Sequence, residues 1–485
     1  MFQQVADQVG GSLALSALCA ALPLATLFVL LSALHWKAWQ AALASLAVAL
    51  LVAIVAFGMP TGQAVLAGTE GAAFGLFPIV FIVLDAIWTF RLTEMTGYDI
   101  VLRRAFESLS ADHRVQAILI AFCFGALLEA LAGFGTPVAV TAVMLIAVGL
   151  KPIKAAAVTL VANTAPVAFG AIAVPITTLG RITGLDPDVL GAMVGRQTPI
   201  LAVFVPFILV GMIDGRRGLR QTWPAALVGG LGSAVAQFVT SNFLAYEVAD
   251  IVAAMVGALA LVVLLRVWQP VAIPESEEVR SMAAVGGRAA EFVDGGVPEP
   301  AGRYRTWLAF SPYLLIVALL RVPAGRAFGA MVGVVKKFRW TIVTVMTVLA
   351  LAYVMNFSGQ TVTLGLALAA SGGFFAFLSP AVGRIGVAVT GSDTSSNSLF
   401  GMQQVTVAQQ TGINEYLLAA ANTSGGVLGK MISPQNLAIA AAVVGLEGQE
   451  SRVLRSVWKW SLLLLGMCVL IYVQSTAVLG WMVVQ

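Results

Sequence analysis

The sequence predicts an all-α polytopic membrane protein of about twelve transmembrane helices, with two re-entrant helical hairpins in two repeated halves. Three observations carry this. Hydrophobic residues make up 59% and charged residues 10% of the 485 positions, with a mean hydropathy of +0.94, whereas a soluble domain has about 25% charged residues. The apolar runs are continuous rather than alternating, which excludes a β-barrel. Two short polar stretches, Leu127-Leu-Glu-Ala-Leu-Ala-Gly-Phe-Gly-Thr-Pro137 and Gly391-Ser-Asp-Thr-Ser-Ser-Asn-Ser398, interrupt such runs. Each holds one carboxylate among glycines and hydroxyls that break a helix.

Apolar segments run at about 13–34, 39–57, 72–90, 115–131, 136–150, 153–179, 194–213, 223–241, 249–266, 307–321, 339–356, 363–379, 415–445 and 457–484. Crossing a bilayer takes roughly 20 such residues. The first segment reads as a retained span, because Met1-Phe-Gln-Gln lacks the basic region of a cleavable signal. Arms 115–131 and 136–150 are each short for a crossing, so a hairpin is placed near 115–150. The Gly391 stretch reads as the tip of a second one near 380–410. Backbone that leaves the helix at membrane depth survives only inside protein or beside a water-filled cavity.

Between Pro270 and Arg303 the texture changes to Glu275, Glu277, Glu278, Arg280 and Glu291 among Gly and Pro. This hydrophilic, cytoplasmic loop at 270–305 divides a first transmembrane half, 1–269, from a second, 306–485. Arg103, Arg104 and Arg114, then Arg216, Arg217 and Arg220, lie in short loops assigned to the cytoplasm by the positive-inside rule. The net charge of +4 therefore reports on topology and gives no reason to expect nucleic acid. Cys19, Cys123 and Cys468 stand singly in apolar sequence, so neither a disulfide nor a metal framework is implied.

The halves share an order of motifs. Gly133-x-x-Thr136 is followed by Asn163-Thr164 and Pro175; Gly391-x-x-Thr394 is followed by Asn422-Thr423 and Pro434. Both Asn-to-Pro spacings are twelve, in a chain with only seven asparagines. Paired Gly/Pro-interrupted segments in two halves point to a transporter site. With Arg452, Arg455 and Lys459 inside, the second hairpin opens outward and the first inward. Lys336, Lys337 and Arg339 then fall outside, and the parity of spans between Arg321 and Arg339 stays open.

A carboxylate at the bilayer centre costs about 2.5–3.5 kcal/mol on insertion scales, so such residues face cavities and carry function. Glu129, one turn before the first tip, and Asp393, amid Ser392, Thr394, Ser395, Ser396 and Asn397, are candidate proton carriers. Lys430, in a Gly-interrupted apolar segment, needs an anionic partner, either Asp393 or a bound anion; a lysine snorkelling to the interface is the alternative. Asn163, Thr164, Asn422 and Thr423 read as unwound helix centres facing the tips. Arg196, Asp85 and Asp214 are weaker candidates, with Asp214 read as a helix-end charge. His35 and His113 adjoin loops, so no histidine relay is expected. No nucleophile–base pair, Walker loop or metal-ligand spacing suggests an enzyme.

Five strings are recognisable: Phe122-Cys-Phe-Gly-Ala-Leu-Leu-Glu-Ala-Leu-Ala-Gly-Phe-Gly-Thr-Pro137, Val161-Ala-Asn-Thr-Ala-Pro-Val-Ala-Phe-Gly170, Met193-Val-Gly-Arg-Gln197, Gly391-Ser-Asp-Thr-Ser-Ser-Asn397 and Gly429-Lys-Met-Ile-Ser-Pro-Gln435. They resemble the L-lactate permease family, which includes glycolate permeases. The resemblance implies a multi-pass protein of the bacterial inner membrane that imports L-lactate, D-lactate or glycolate with a proton and has no other cofactor. Its expected partners are the carboxylate substrate and the lipid bilayer, with a homo-oligomer allowed. Ser392, Thr394, Ser395, Asn397, Asn163, Thr164, Asn422, Thr423 and Lys430 are the expected substrate ligands, and Asp393 or Glu129 the proton carrier. Sodium-coupled import and a passive anion channel stay open as alternatives. The chain departs from the family by about one span between Arg321 and Lys336, where only Val322–Val335 remains.

Overall fold

The computed structural model describes residues 4–34, 36–81, 84, 85, 87, 88, 92, 110, 112–133, 135–270 and 324–484. Nearly all of the expected loop at 270–305 and the apolar segment 307–321 lie outside the described residues, as do Arg103, Arg104 and His35. Every regular element described is helical. Among the described residues, eight runs are long and apolar enough to cross a membrane, or nine if the bent pair Pro152–Ala162 and Val167–Thr183 is one span. The chain is a multi-pass membrane protein.

One of the eight, Pro187–Phe243, is folded double. Gly215 (φ 59°, ψ −143°) leaves the helix, and a Cβ on Gly230 would lie 2.8 Å from the Val203 carbonyl oxygen, so the two arms run side by side. Arg216, Arg217 and Arg220 sit at that reversal.

The first polar stretch is also a reversal. Helix His113–Leu131 ends at Gly133 and Gly135, whose φ of 55° and 79° suit a residue without Cβ. Thr136–Ala147 then packs back along it. The first arm differs from expectation: it begins at His113 and, at 19 residues, is long enough to cross alone. Arg114 is fully buried rather than looped. It donates to Asp112, to Asp214 at 3.0 Å and to Gln221 at 2.7 Å, which accounts for Asp214 as a helix-end charge. Burial alone would push the Asp112 carboxyl up, but the hydrogen bonds from Arg114 outweigh it and hold the group below its ordinary range. Lys154 Nζ donates to the Ile213 carbonyl at 2.7 Å. The start of one arm and the residues after the other therefore meet the same turn.

The second polar stretch joins Phe375–Thr390 to Asp393–Thr411, which pack together. Gly391 (φ 75°) ends the first helix, and the Ser392 hydroxyl caps the second by accepting from the Ser395 N–H. At the far end, Asn414 donates to the Val484 carbonyl, while Arg196 donates to that of Met482. Arg196 precedes the helix whose other end is the Gly215 turn. The two reversals thus enter from opposite faces.

The expected unwound centre in the second half is corrected. Asn422–Ser424 is not an unwound centre, because Glu415–Lys430 is continuous through it. Its glycines serve close packing: a Cβ on Gly425 would lie 2.2 Å from the Pro380 carbonyl oxygen of the neighbouring helix. The break falls later, at Met431–Ser433. Between Arg321 and Arg339, where the sequence left the parity of spans open, the described part of 322–335 is no separate span. It opens a single helix, Ala324–Phe357, of 34 residues, about 50 Å long. Lys336, Lys337 and Arg339 lie exposed along it.

Gly425→Val should destabilise the protein by about 1–3 kcal/mol through overpacking. Gly329→Ala, in open space on a helix, should be neutral or stabilising. Thermal unfolding of the purified protein in detergent compares them.

Candidate functional site

Three charged side chains from three helices converge on one cavity of about 650 Å³. Glu129 comes from Gly125–Leu131, Asp393 opens Asp393–Thr411, and Lys430 closes Glu415–Lys430. Ser392, Thr394 and Ser395 line the same cavity, which extends to Lys37 and to the exposed Trp36 and Trp340.

Lys430 Nζ donates to Glu129 Oε1, joining positions 301 residues apart; both are buried. Sequence alone offered Asp393 or a bound anion as the partner of Lys430. The structure gives it Glu129, which the fold carries in from the first reversal. A lone charge in this setting is very costly, and a buried pair is tolerated only with good geometry.

Asp393 is 3% exposed, and neither of its carboxylate oxygens has a hydrogen-bond partner among the described residues. It sits in the first turn of its helix, where the macrodipole favours negative charge. Gly426 leaves room for it: a Cβ there would come within 2.2 Å of Asp393 Oδ1. Gly170, Ala171 and Val174 line the same cavity, in a segment where Ala171, Ile172 and Ala173 have φ of 47°, 58° and 54°. Left-handed backbone costs about 1–2 kcal/mol per residue for side chains with a Cβ. Such strain persists where surroundings over-determine it, often at ligand sites.

The polar cluster after Gly391 divides by helical direction. Ser392, Thr394 and Ser395 line the cavity. Ser396 donates to the Gly383 carbonyl, and Asn397 donates to the Pro175 carbonyl at 3.1 Å. Asn397 Oδ1 accepts from both Asn422 (2.9 Å) and Thr423 (3.0 Å). These three therefore tie helices together behind the cavity wall and do not line it. Asn163 and Thr164 do not line it either. They lie at the start of the expected break, where the helix pair bends by 64°. Thr164 donates to the Leu160 carbonyl, and neither amide atom of Asn163 has a partner among the described residues. Arg196 is held by Asn242 and Met482, and Asp85 is exposed; neither reaches the cavity.

One buried carboxylate escaped the sequence reading. Asp250, 2% exposed, accepts from Gln237 at 2.5 Å, and its second oxygen has no hydrogen-bond partner among the described residues. The available signal was an acid in the first turn of the apolar segment 249–266. Gln197, at the end of the Met193–Gln197 string, accepts from Ser424 at 2.6 Å and joins the halves.

Membrane-length helices enclosing ionisable and hydroxyl groups around such a cavity define a multi-pass transporter. The family model described as L-lactate permease matches residues 16–332 and 309–479. The chain belongs to the L-lactate permease family. It is 40% identical to the glycolate permease GlcA of Escherichia coli K12, over 93% of this chain and 94% of that one. It is 37% identical to the L-lactate permease of the same strain and 36% identical to that of Bacillus subtilis 168, with at least 99% of each chain covered. The Escherichia coli L-lactate permease alignment runs over 549 positions against 485 residues here. The relative therefore carries more residues without counterpart than one span needs. The two matched stretches overlap at 309–332, which includes most of the place where a span is short.

Lys430→Met should leave the Glu129 charge buried and uncompensated, lowering stability by about 3–5 kcal/mol. Adding Glu129→Gln should recover much of that loss. Unfolding midpoints of the two single variants and the double variant measure the coupling.

Proposed function

We propose that the chain imports L-lactate and related 2-hydroxy monocarboxylates, D-lactate and glycolate among them, by proton symport across the bacterial inner (plasma) membrane. The names of the relatives support the substrate class. The observation that carries the coupling is that Glu129, Lys430 and Asp393 share one cavity. In this reading the reversals at 132–135 and 391–392 are the tips of two re-entrant hairpins within about twelve spans in two repeated halves. Their entry from opposite faces supports an inverted repeat.

The carboxylate of the substrate binds Lys430, and the hydroxyls of Ser392, Thr394 and Ser395 hold its oxygens. Asn163, Thr164, Asn397, Asn422 and Thr423, first expected as ligands, shape the helices behind. Coupling follows from charge. Among the buried charges Glu129 and Lys430 sum to zero and an ionised Asp393 leaves one negative charge, while Lys37 stands exposed at the rim, where solvent screens it. A second anion about 5 Å away would be repelled by about 3 kcal/mol at an effective dielectric near 20. One proton arriving with the substrate, on Asp393 or on the Glu129 released from Lys430, removes that repulsion.

Uptake into vesicles tests this. An inward proton gradient should drive L-lactate accumulation, with alkalinisation of the outer medium, and Asp393→Asn should abolish accumulation while the protein stays in the membrane. Accumulation at wild-type level in that variant would remove Asp393 as the coupling group. A response to a sodium gradient alone would replace the proton by sodium, and equilibration without accumulation would make the protein a passive anion channel.

A further inference from the structure

Away from the central cavity, two adjoining hollows of about 660 and 440 Å³ share Gly211 and Trp460. Together they form one groove along the seam between the arm Thr198–Asp214 and the run Glu450–Gln474. Its walls follow helical spacing: Ile200, Phe204 and Phe207 on one side, Trp460, Leu463 and Met467 on the other. Phe204 and Leu463 are more than half exposed. At one end the groove meets the exposed Lys151 and Lys154 and the hydroxyl-bearing Ser456. Arg452, one turn before Ser456, extends that basic end. Its depth is informative. Residues 200 to 211 rise about 17 Å, close to half of the roughly 30 Å hydrocarbon thickness.

We propose that this groove binds one anionic diacyl phospholipid, with its phosphate at Lys151 and Lys154 and one acyl chain along the Phe204–Leu463 trough. The basic end lies beside Ile213, whose carbonyl Lys154 engages, and so beside the Arg216, Arg217 and Arg220 turn. That places the lipid in the cytoplasmic leaflet under the positive-inside rule. An apolar trough one leaflet deep with two lysines at its mouth matches a phospholipid in both shape and charge, and matches free phosphate in charge alone.

Native mass spectrometry of the purified full-length protein, given phosphatidylglycerol or phosphatidylcholine with the same acyl chains, tests the proposal. Wild type should retain phosphatidylglycerol preferentially. With each juxtamembrane lysine contributing about fivefold, Lys151→Gln/Lys154→Gln should lose about 30-fold of that retention and Lys151→Gln alone about fivefold. The single variant leaves the Lys154 contact to Ile213 in place. Gly211→Leu fills the trough, and its Cβ meets only Leu219, at an ordinary 3.7 Å or more; it should reduce retention with both lysines intact. Equal retention of the two lipids, no loss in Lys151→Gln and Gly211→Leu, or displacement by millimolar inorganic phosphate would each overturn it.

Discussion

A charged lysine deep among apolar helices needs an anion beside it, and the anion that meets Lys430 comes from 301 residues away. The Glu129–Lys430 pair joins the first chain reversal to the helix that packs behind the second. Much else follows from that constraint. The first reversal must lie beside the end of Glu415–Lys430, and the space where they meet holds ionisable groups. Since a buried ion pair adds little net stability over an apolar replacement, its value lies in position and in exchangeable charge.

The rest of the core makes that meeting possible. Gly425 and Gly426 let Glu415–Lys430 lie against Phe375–Thr390 and leave room for Asp393. Asn397, Asn422, Thr423 and the Pro175 carbonyl lock the second reversal onto the first half. The left-handed turn at Ala171–Ala173 brings backbone up to Glu129. In the transport reading, the site works because its charge is nearly balanced without substrate and is restored when an anion and a proton enter together.

The class of fold was legible because lipid leaves few alternatives: continuous apolar runs with sparse charge fix helices and their approximate limits. The reversals at Gly133–Gly135 and Gly391–Ser392 were legible because Gly and capping hydroxyls stop a helix by local chemistry. Glu129, Asp393 and Lys430 could be singled out one at a time, each being costly in its segment. Which of them pair was not, since no local rule joins residues 129 and 430. The Asn422 region misled for a related reason. Glycines that break a helix and glycines that admit a neighbouring helix look alike until the neighbour is known. The division of Ser392–Ser398 into a cavity face and a packing face needed the helix direction, and Asp250 hid as an ordinary first-turn acid.

The shortfall near 321–336 lies outside the residues around the central cavity, which come from 129–175, 389–395 and 430–436, with a rim at 31–39 and 340–345. In the transport reading, substrate anion and proton enter one buried cluster together. The most direct measurement is an infrared difference spectrum of the reconstituted protein with and without L-lactate, in the region of protonated carboxyl groups. A lactate-dependent rise in a protonated-carboxyl band, lost in Glu129→Gln or in Asp393→Asn, is the predicted result. Lactate binding with no change in carboxyl protonation in the wild type would contradict it.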